Sequence, residues 1–389
     1  MRRIALVTPI LPVPFDPTRG RYIHETARAL SSLATVRVYY LQPRYPRLPG
    51  LAPRSFLDGL VGPDFSLPGI EVEALGYPAL PGLSRITNGL LAARALAAPV
   101  ARFRPDLLLG YWLYPDGAAA QRVARKLGVP CVVGARGSDI HVRHGVSRRL
   151  TAGVVARADA LLTVSRAMRA AAIADYGADP ARCHAIANGF DTGVFHPRDR
   201  ATARAALALD DADRIVLYVG RFVEAKGLRE LVTAFGALLA RDPRRRLVLL
   251  GDGVMRAALE QLLRDSGIAA RTTLPGACEP AGVAQWLAAC DVLTLPSWSE
   301  GYPNVVVEAV ACGRPVVATD VGGTREILDA DNGILVPPRD AAALERALED
   351  ALTRAWDGAA MAARMRRGWD DVARETLAVC ESVLAARGR

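Results

Sequence analysis

Residues Cys290 to Gly313 read CDVLTLPSWSEGYPNVVVEAVACG. The run from Val292 is apolar, long enough for a buried strand and too short for a helix. Pro296, Gly301 and Pro303 then break any regular pattern. From Val305 the apolar residues return at helical spacing, and Gly313 closes the segment. A strand, a turn-rich loop and a helix in that order form the repeating unit of a parallel sheet. The same reading puts Glu300 in the loop and Glu308 about one turn into the helix, eight positions apart.

The alternation continues outward in both directions. In the first half the strand candidates are RIALVT, VRVYYL, VEAL, DLLLGYW, CVVGA, ALLTVS and HAIAN, separated by helical patterns such as YIHETARALSSL and GAAAQRVARKLG. The stretch NGFDTGVFHPRDR, residues 188–200, is polar and turn-rich and reads as a linker. The pattern restarts with RIVLYVG, RLVLLGDG, TTLPG, VLTLPS, PVVATD and GILVPP. Repeated strand–helix units predict an α/β fold of two Rossmann-like, doubly wound parallel-sheet domains, residues 1–195 and 196–365. The tail, about 366–389, is helical in pattern and is expected to pack back onto the first domain. Two such domains in tandem are expected to face a central cleft, with ligands at the carboxyl ends of the strands.

Composition agrees with this class. The chain has 389 residues, 51% hydrophobic and 23% charged, which suits a globular protein with more than one core. No run reaches the roughly 18 uninterrupted apolar residues of a membrane span. The opening MRRIALVTPILPVP joins two arginines to an apolar run, but Pro9, Pro12 and Pro14 interrupt it and no small-residue cleavage site follows. It reads as a first strand. Cys131, Cys183, Cys278, Cys290, Cys312 and Cys380 are scattered without a C-x-x-C pair, which points to buried reduced thiols in a cytoplasmic protein and away from a disulfide framework or structural zinc.

Charge is unevenly spread. Residues 1–195 hold 24 Arg and Lys against 13 Asp and Glu, a net +11, and the remainder holds 25 against 27, a net −2. A basic first half suits an acidic partner such as an anionic lipid surface or a phosphorylated acceptor. No zinc-finger spacing, RNP aromatics or basic run with stacking aromatics is present, so nucleic acid is not an expected partner.

The chemistry is concentrated in the second half. LYVGRFVEAKGLRELVTAF places Gly220, Arg221 and Lys226 between a strand and a helix, at the end of the strand where anions bind. Two cations there suit a diphosphate and the charge that develops as it leaves. Their ordinary alternative is a pair of surface cations beside a loop. Gly301, Tyr302, Pro303 and Asn304 lead into a helix N-terminus, whose free N–H groups also attract anions. Glu308 can accept hydrogen bonds from a vicinal diol such as a ribose, and Glu300 from sugar hydroxyls beyond the diphosphate. The alternative for Glu308 is complementing the helix dipole. LLGDG is another strand-end turn, weak by itself. There is no G-x-x-x-x-G-K-[ST], and the chain does not open with G-x-G-x-x-G.

Taken together, these motifs resemble those of the retaining GT-B glycosyltransferases, most closely family 4 of that class. EGYPNVVVE resembles the E-x7-E motif, VGRFVEAKGLRELVTAF the diphosphate-binding segment, NGFDTGVFHP the interdomain linker and LLGYWLYPDGAAAQRVARKLGVP a stretch of the acceptor domain. The resemblance runs along nearly the whole chain. It implies a nucleotide-sugar donor held by the second domain, a saccharide or lipid-linked acceptor held by the first, transfer with retention, and neither cofactor nor bound metal. Carried over position by position, it implies that Arg221 and Lys226 hold the diphosphate, that Glu300 binds donor-sugar hydroxyls, and that Glu308 binds the ribose. Arg221, Lys226 and Glu300 form the expected catalytic set, with positioning and leaving-group stabilisation supplying the rate.

Two departures stand out. Where the family commonly has paired glycines after the first strand, TRGRYIHETARAL leaves Gly20 alone, followed by Arg21, which either adds a phosphate contact or faces solvent. Where many members carry a His close to the donor sugar, GARGSDIH has Arg136, an always-charged group that cannot act as a base at neutral pH. Arg136, Asp139 and His141 remain candidates for acceptor binding, with a turn role as the alternative for Asp139 and His141. SRITNGLLAARALAAPVARFRP and VSRRLTAGVVARAD are basic helical patterns suited to the inner face of an anionic membrane, or to ordinary packing on the sheet with snorkelling arginines. A retaining transferase of cell-surface polysaccharide or glycolipid synthesis is the leading expectation. A nucleotide-sugar 2-epimerase and a catalytically degenerate nucleotide-sugar-binding protein are the rivals, and an NAD(P)-linked oxidoreductase lacks its glycine fingerprint.

Overall fold

The computed structural model describes residues 1–14, 16, 18–46, 66–80, 84–141 and 145–388. Its contacts divide the chain into two compact units, Met1–Gly189 with Trp369–Arg389, and Phe190–Gly368. No helix among the described residues is long and apolar enough to cross a membrane.

The first unit is built on a parallel sheet of β1 (Arg3–Thr8), β2 (Thr35–Arg44), β3 (Glu71–Pro78), β4 (Leu107–Tyr111), β5 (Cys131–Gly134), β6 (Ala160–Thr163) and β7 (Cys183–Ala185). The spatial order is β3-β2-β1-β4-β5-β6-β7. β1 lies at the reversal point, with Ile4 paired to Val36 on one side and Leu107 on the other. Its residues Ile4 to Thr8 are all buried, as expected of a strand covered on both faces. The terminal helix Trp369–Arg387 packs on the Arg21–Ser31 helix of this unit and contributes Trp369, Val372, Ala373 and Cys380 to its core. Arg387 pairs with Asp159 at 2.9 Å.

The second unit repeats the plan with β8 (Arg214–Val219), β9 (Arg245–Leu250), β10 (Thr272–Gly276), β11 (Val292–Leu295), β12 (Val316–Thr319) and β13 (Gly333–Val336). Their order is β10-β9-β8-β11-β12-β13, so the strand sequence reverses between β8 and β11. Pro275 falls in β10, the edge strand, where the missing N–H costs no central ladder bond and the register is irregular.

The stretch read as a linker divides differently. Phe190 and Phe195 are 3% and 5% exposed and belong to the second unit's core, so the boundary falls at Gly189 rather than Phe195. Two aromatic rings among polar residues give no periodic signal, but burying them fixes where the second unit begins. At the other end Trp369 enters the first unit's core and sets the return at Gly368 rather than Met365.

Candidate functional site

In the second unit the chemistry gathers where β8 and β11 diverge. Beyond β8, the backbone N–H of Gly220 donates to Leu250 and that of Phe222 to Asp252, which ties the loop to the neighbouring strand. The phenol of Tyr218 donates to the carbonyl of Arg221 at 2.9 Å. Tyr218 is fully buried, and its hydroxyl pKa is pushed up by burial first and by the charge of Glu300 second, so the proton stays on. A short 3-10 turn, Glu224–Lys226, then delivers Lys226, and Gly227 leads into the Leu228–Arg241 helix. The Arg221 side chain is exposed, and among the described residues no carboxylate pairs with it.

Beyond β11, the loop is held against that turn. Trp298 donates its backbone N–H to Ala225 at 2.8 Å and its indole N–H to Glu230 at 2.9 Å. The guanidinium of Arg339 stacks 4.3 Å above the Trp298 ring. These contacts set the spacing of the two loops, and Lys226 Nζ meets Glu300 Oε1 at 2.5 Å. The two side chains are 20% and 12% exposed, so the pair is partly shielded yet reachable. The stretch after β12 closes the third side. Gly322 has φ +55, and a Cβ there would lie 1.8 Å from the carbonyl oxygen of Glu300, so only glycine fits. Gly323 donates to the Gly301 carbonyl at 3.0 Å.

Asn304 is the first residue of the Asn304–Ala311 helix, and Pro303 is its N-cap without a side-chain hydrogen bond. This terminus is therefore not capped by Pro303, which leaves it suited to an anion. Glu308 lies half-buried in the same helix, between buried Val307 and Ala309. Its charge adds to burial in pushing the Cys312 thiol up to about 12. Tyr302 packs against the core, and burial raises its phenol pKa.

The remaining predicted residues belong to the first unit. Gly20 has φ +67 at the N-cap of the Arg21–Ser31 helix, 2.8 Å from the Ile10 backbone as measured from a Cβ placed there, so the turn needs a glycine. Arg136 stacks 3.9 Å over the ring of Tyr111 and donates to Asn188 at 3.2 Å. Asp139 takes the turn role that stood as its alternative, and its side chain is fully buried. Its carboxylate accepts from the backbone N–H groups of Arg136 and Gly137, each at 2.9 Å, and of Leu113 at 3.3 Å. It ties the loop after β5 to the one after β4. His141 closes the short Ser138–His141 helix.

The structure thus brings Lys226 and Glu300 into contact across 74 residues of sequence. Sequence reasoning missed Tyr218, Trp298 and Gly322, which hold that pair in place. The signals existed: a Trp inside a strand-end loop needs a partner for its N–H, and a Gly-Gly following a strand marks a tight backbone approach.

Comparison with known proteins follows the same division. Residues 213–354 match the family described as Glycosyl transferases group 1, and residues 20–194 match Glycosyltransferase Family 4. The chain is 30% identical to the D-inositol 3-phosphate glycosyltransferase of Acidothermus cellulolyticus, over 99% of this chain and 91% of that one. Its 36% identity to the protein of the same name from Rhodococcus jostii covers 55% of this chain and 49% of the relative, so there the match spans about half the relative's length. Among solved structures, sucrose-phosphate synthase from Thermosynechococcus elongatus superposes with a TM-score of 0.78 at 22% identity, covering 99% and 100% of the two chains. Anabaena HepE in complex with UDP and glucose gives 0.76 at 20% identity, over 98% and 100%. These last two share the GT-B fold with this chain.

Proposed function

Because the chain belongs to the group 1 glycosyltransferases of family 4, we propose that it moves a sugar from a nucleoside diphosphate sugar to an acceptor hydroxyl with retention at the anomeric carbon, in the synthesis of a cell-surface polysaccharide or glycolipid. The observation that carries the reading is the Lys226–Glu300 contact where β8 and β11 diverge, with Arg221 beside it. Ligands of open α/β sheets bind at that position. Arg221 and Lys226 hold the diphosphate, the Asn304–Ala311 helix end faces it, Glu308 accepts from the ribose diol, and Glu300 accepts from donor-sugar hydroxyls. In the reaction the bond from the anomeric carbon to the phosphate oxygen breaks and the bond to the acceptor oxygen forms on the same face. The departing diphosphate takes the acceptor proton. Two side-chain cations neutralise the charge that builds on the leaving group, so the reading requires no metal. UDP in the complexed HepE makes UDP the first nucleotide to assay.

A second reading of the acceptor rests on the relatives, whose names specify D-inositol 3-phosphate, a small soluble molecule. Peripheral attachment to the inner face of a membrane is part of the first reading. It is supported by Ile86 and Leu90, 64% and 41% exposed beside the exposed cations Arg85 and Arg94. Salt-insensitive, equal sedimentation with neutral and anionic vesicles would remove it.

Thermal stabilisation by nucleotides and nucleotide-sugars, repeated in EDTA, tests the donor site. The expected result is a rise in Tm with one nucleoside diphosphate and its sugars, unchanged by EDTA and lost in Glu308→Ala and Lys226→Ala. A flat response to the whole panel would favour a protein without a working donor site.

A further inference from the structure

The two loops of the candidate site are anchored in different ways. The loop beyond β8, which carries Arg221, is tied to β9 and its own loop by the backbone bonds of Gly220 and Phe222, and Met255 returns its N–H to the Phe222 carbonyl at 3.0 Å. The loop beyond β11, which carries Glu300, is held by Trp298. The backbone N–H of Trp298 reaches Ala225, the neighbour of Lys226. Its side chain reaches Glu230, in the first turn of the Leu228–Arg241 helix, and Arg339, beyond β13. The backbone bond does not depend on the side chain at position 298, and the other two contacts do.

Arg339 is presented by a stiff segment. Pro337 and Pro338 restrict the chain before it. Asp340 behind it caps the Ala341–Thr353 helix, its side chain accepting from the Ala343 N–H at 2.8 Å. Arg339 itself has φ +64, a left-handed conformation that glycine adopts freely and a long side chain does not. A glycine would fit this turn better and would leave Trp298 uncovered. The guanidinium is exposed, and among the described residues no carboxylate pairs with it, so its contact is the Trp298 ring. A guanidinium over an indole face is a favoured cation–π pairing.

Glu230 grips the same ring at its edge. Its Oε1 accepts the indole N–H, and its Oε2 is buried and, among the described residues, has no hydrogen-bond partner. A buried oxygen left unpaired costs stability, and such costs gather where geometry serves a site. One charge therefore clamps the Trp298 ring at its N–H and the opposite charge covers its face.

We propose that Arg339 is a positioning residue of the transfer, acting through Trp298 to fix the Glu300 carboxylate for the donor sugar while Arg221 and Lys226 hold the diphosphate. The inference rests on the transferase reading and adds to it a separation of two functions. Nucleotide affinity resides in the loop anchored to β9, and the sugar step in the loop anchored by Trp298. Loosening the ring lets the Glu300 loop shift, which lowers a rate that depends on precise placement more than it lowers binding.

Acceptor-free hydrolysis of UDP-glucose, UDP-galactose and UDP-N-acetylglucosamine, with calorimetry of UDP, tests it on the full chain. Arg339→Ala is expected to lower kcat about three- to fivefold, the scale of one cation–π contact at a partly exposed site, without loss of UDP affinity or Tm. Arg339→Lys is expected to recover part of that loss, since it keeps the charge and loses the planar stack. Trp298→Leu is expected to lower kcat further, and Arg339→Ala added to it changes nothing more, because the guanidinium then has no ring to hold. A purely structural role would lower Tm and UDP affinity together with the rate. Wild-type kcat in Arg339→Ala, a loss of UDP affinity equal to the loss of rate, or losses that multiply in the double variant would overturn the proposal. A wild type that turns over none of the donors counts against the transferase reading instead. The contact is then judged by Trp298 fluorescence, taken as the difference that Trp298→Phe makes in each background. Stronger acrylamide quenching in Arg339→Ala supports the contact, and unchanged quenching removes it.

Discussion

Replacing Glu300 by Gln separates two roles that the Lys226–Glu300 contact combines. Without donor, Lys226 is held by a carboxylate at 2.5 Å, in a pair only 20% and 12% exposed. A phosphate that recruits Lys226 must loosen that contact. A hydrogen bond to a charged group contributes about 1.5–3 kcal/mol, and a neutral one about 0.5–1.5 kcal/mol. Glu300→Gln keeps the shape and lowers the hold on Lys226 by roughly 1–1.5 kcal/mol, with residual solvent screening pulling toward the lower figure. At about 1.4 kcal/mol per tenfold, UDP is expected to bind about five- to tenfold tighter. Transfer is expected to fall, because the amide offers one acceptor oxygen to the sugar hydroxyls where the carboxylate offered two. By the same scale kcat/KM drops about 10- to 100-fold. Calorimetry with UDP and initial-rate kinetics with the UDP-sugar measure the two effects on one preparation. Tenfold weaker UDP binding with an unchanged Tm would refute the reasoning, since it would mean that Glu300 aims Lys226 at the phosphate instead of competing for it.

Other consequences follow from the same contacts. Arg221→Ala removes an exposed cation without an ion-pair partner among the described residues, so UDP affinity should fall about 10-fold or more while Tm hardly moves. A drop in Tm of many degrees would show that the guanidinium serves the fold. Gly322→Ala would put a methyl 1.8 Å from the Glu300 carbonyl oxygen, at φ +55, and is expected to cost about 2 kcal/mol or more and to abolish turnover. Wild-type unfolding free energy in urea would contradict it. Glu349 accepts from Arg245 at 2.6 Å, and that hydrogen bond, with the nearby arginine charges, holds its pKa below the ordinary carboxylate value. A depressed carboxylate pKa contributes stability above the unfolded value and loses it as pH falls through the folded one. Denaturant titrations from pH 7 to pH 3 should therefore show a loss of stability that is smaller in Glu349→Gln, and parallel curves would rule out this contribution.

Much of the fold was legible because its causes are local. The strand candidates, from RIALVT to GILVPP, fall on β1 to β13, and the central ones were plain because a strand buried on both faces must be an apolar run of limited length. The restart of that pattern after residue 200 gave two sheets, and the loop-to-helix change placed Glu300 before the helix and Glu308 inside it. The role of Asp139 stayed open between two alternatives because a carboxylate in a turn looks the same in sequence whether it faces solvent or three backbone N–H groups. The unit boundaries shifted because Phe190 and Trp369 declare their side only by the core they enter.

The residue types at the site were determined by the sequence alone: two cations beyond one strand, two carboxylates around another, and glycines where the backbone turns. Their meeting was decided by the tertiary structure. Lys226 touches Glu300 because β8 lies beside β11 although β9 and β10 intervene in the chain. Arg339 meets Trp298 because β13 lies two strands from β11 in the same parallel sheet, bringing the loops beyond both to one end of it. Periodicity within a segment reports which face is buried, whereas adjacency between segments depends on how whole strands are ordered, and no single segment carries that information.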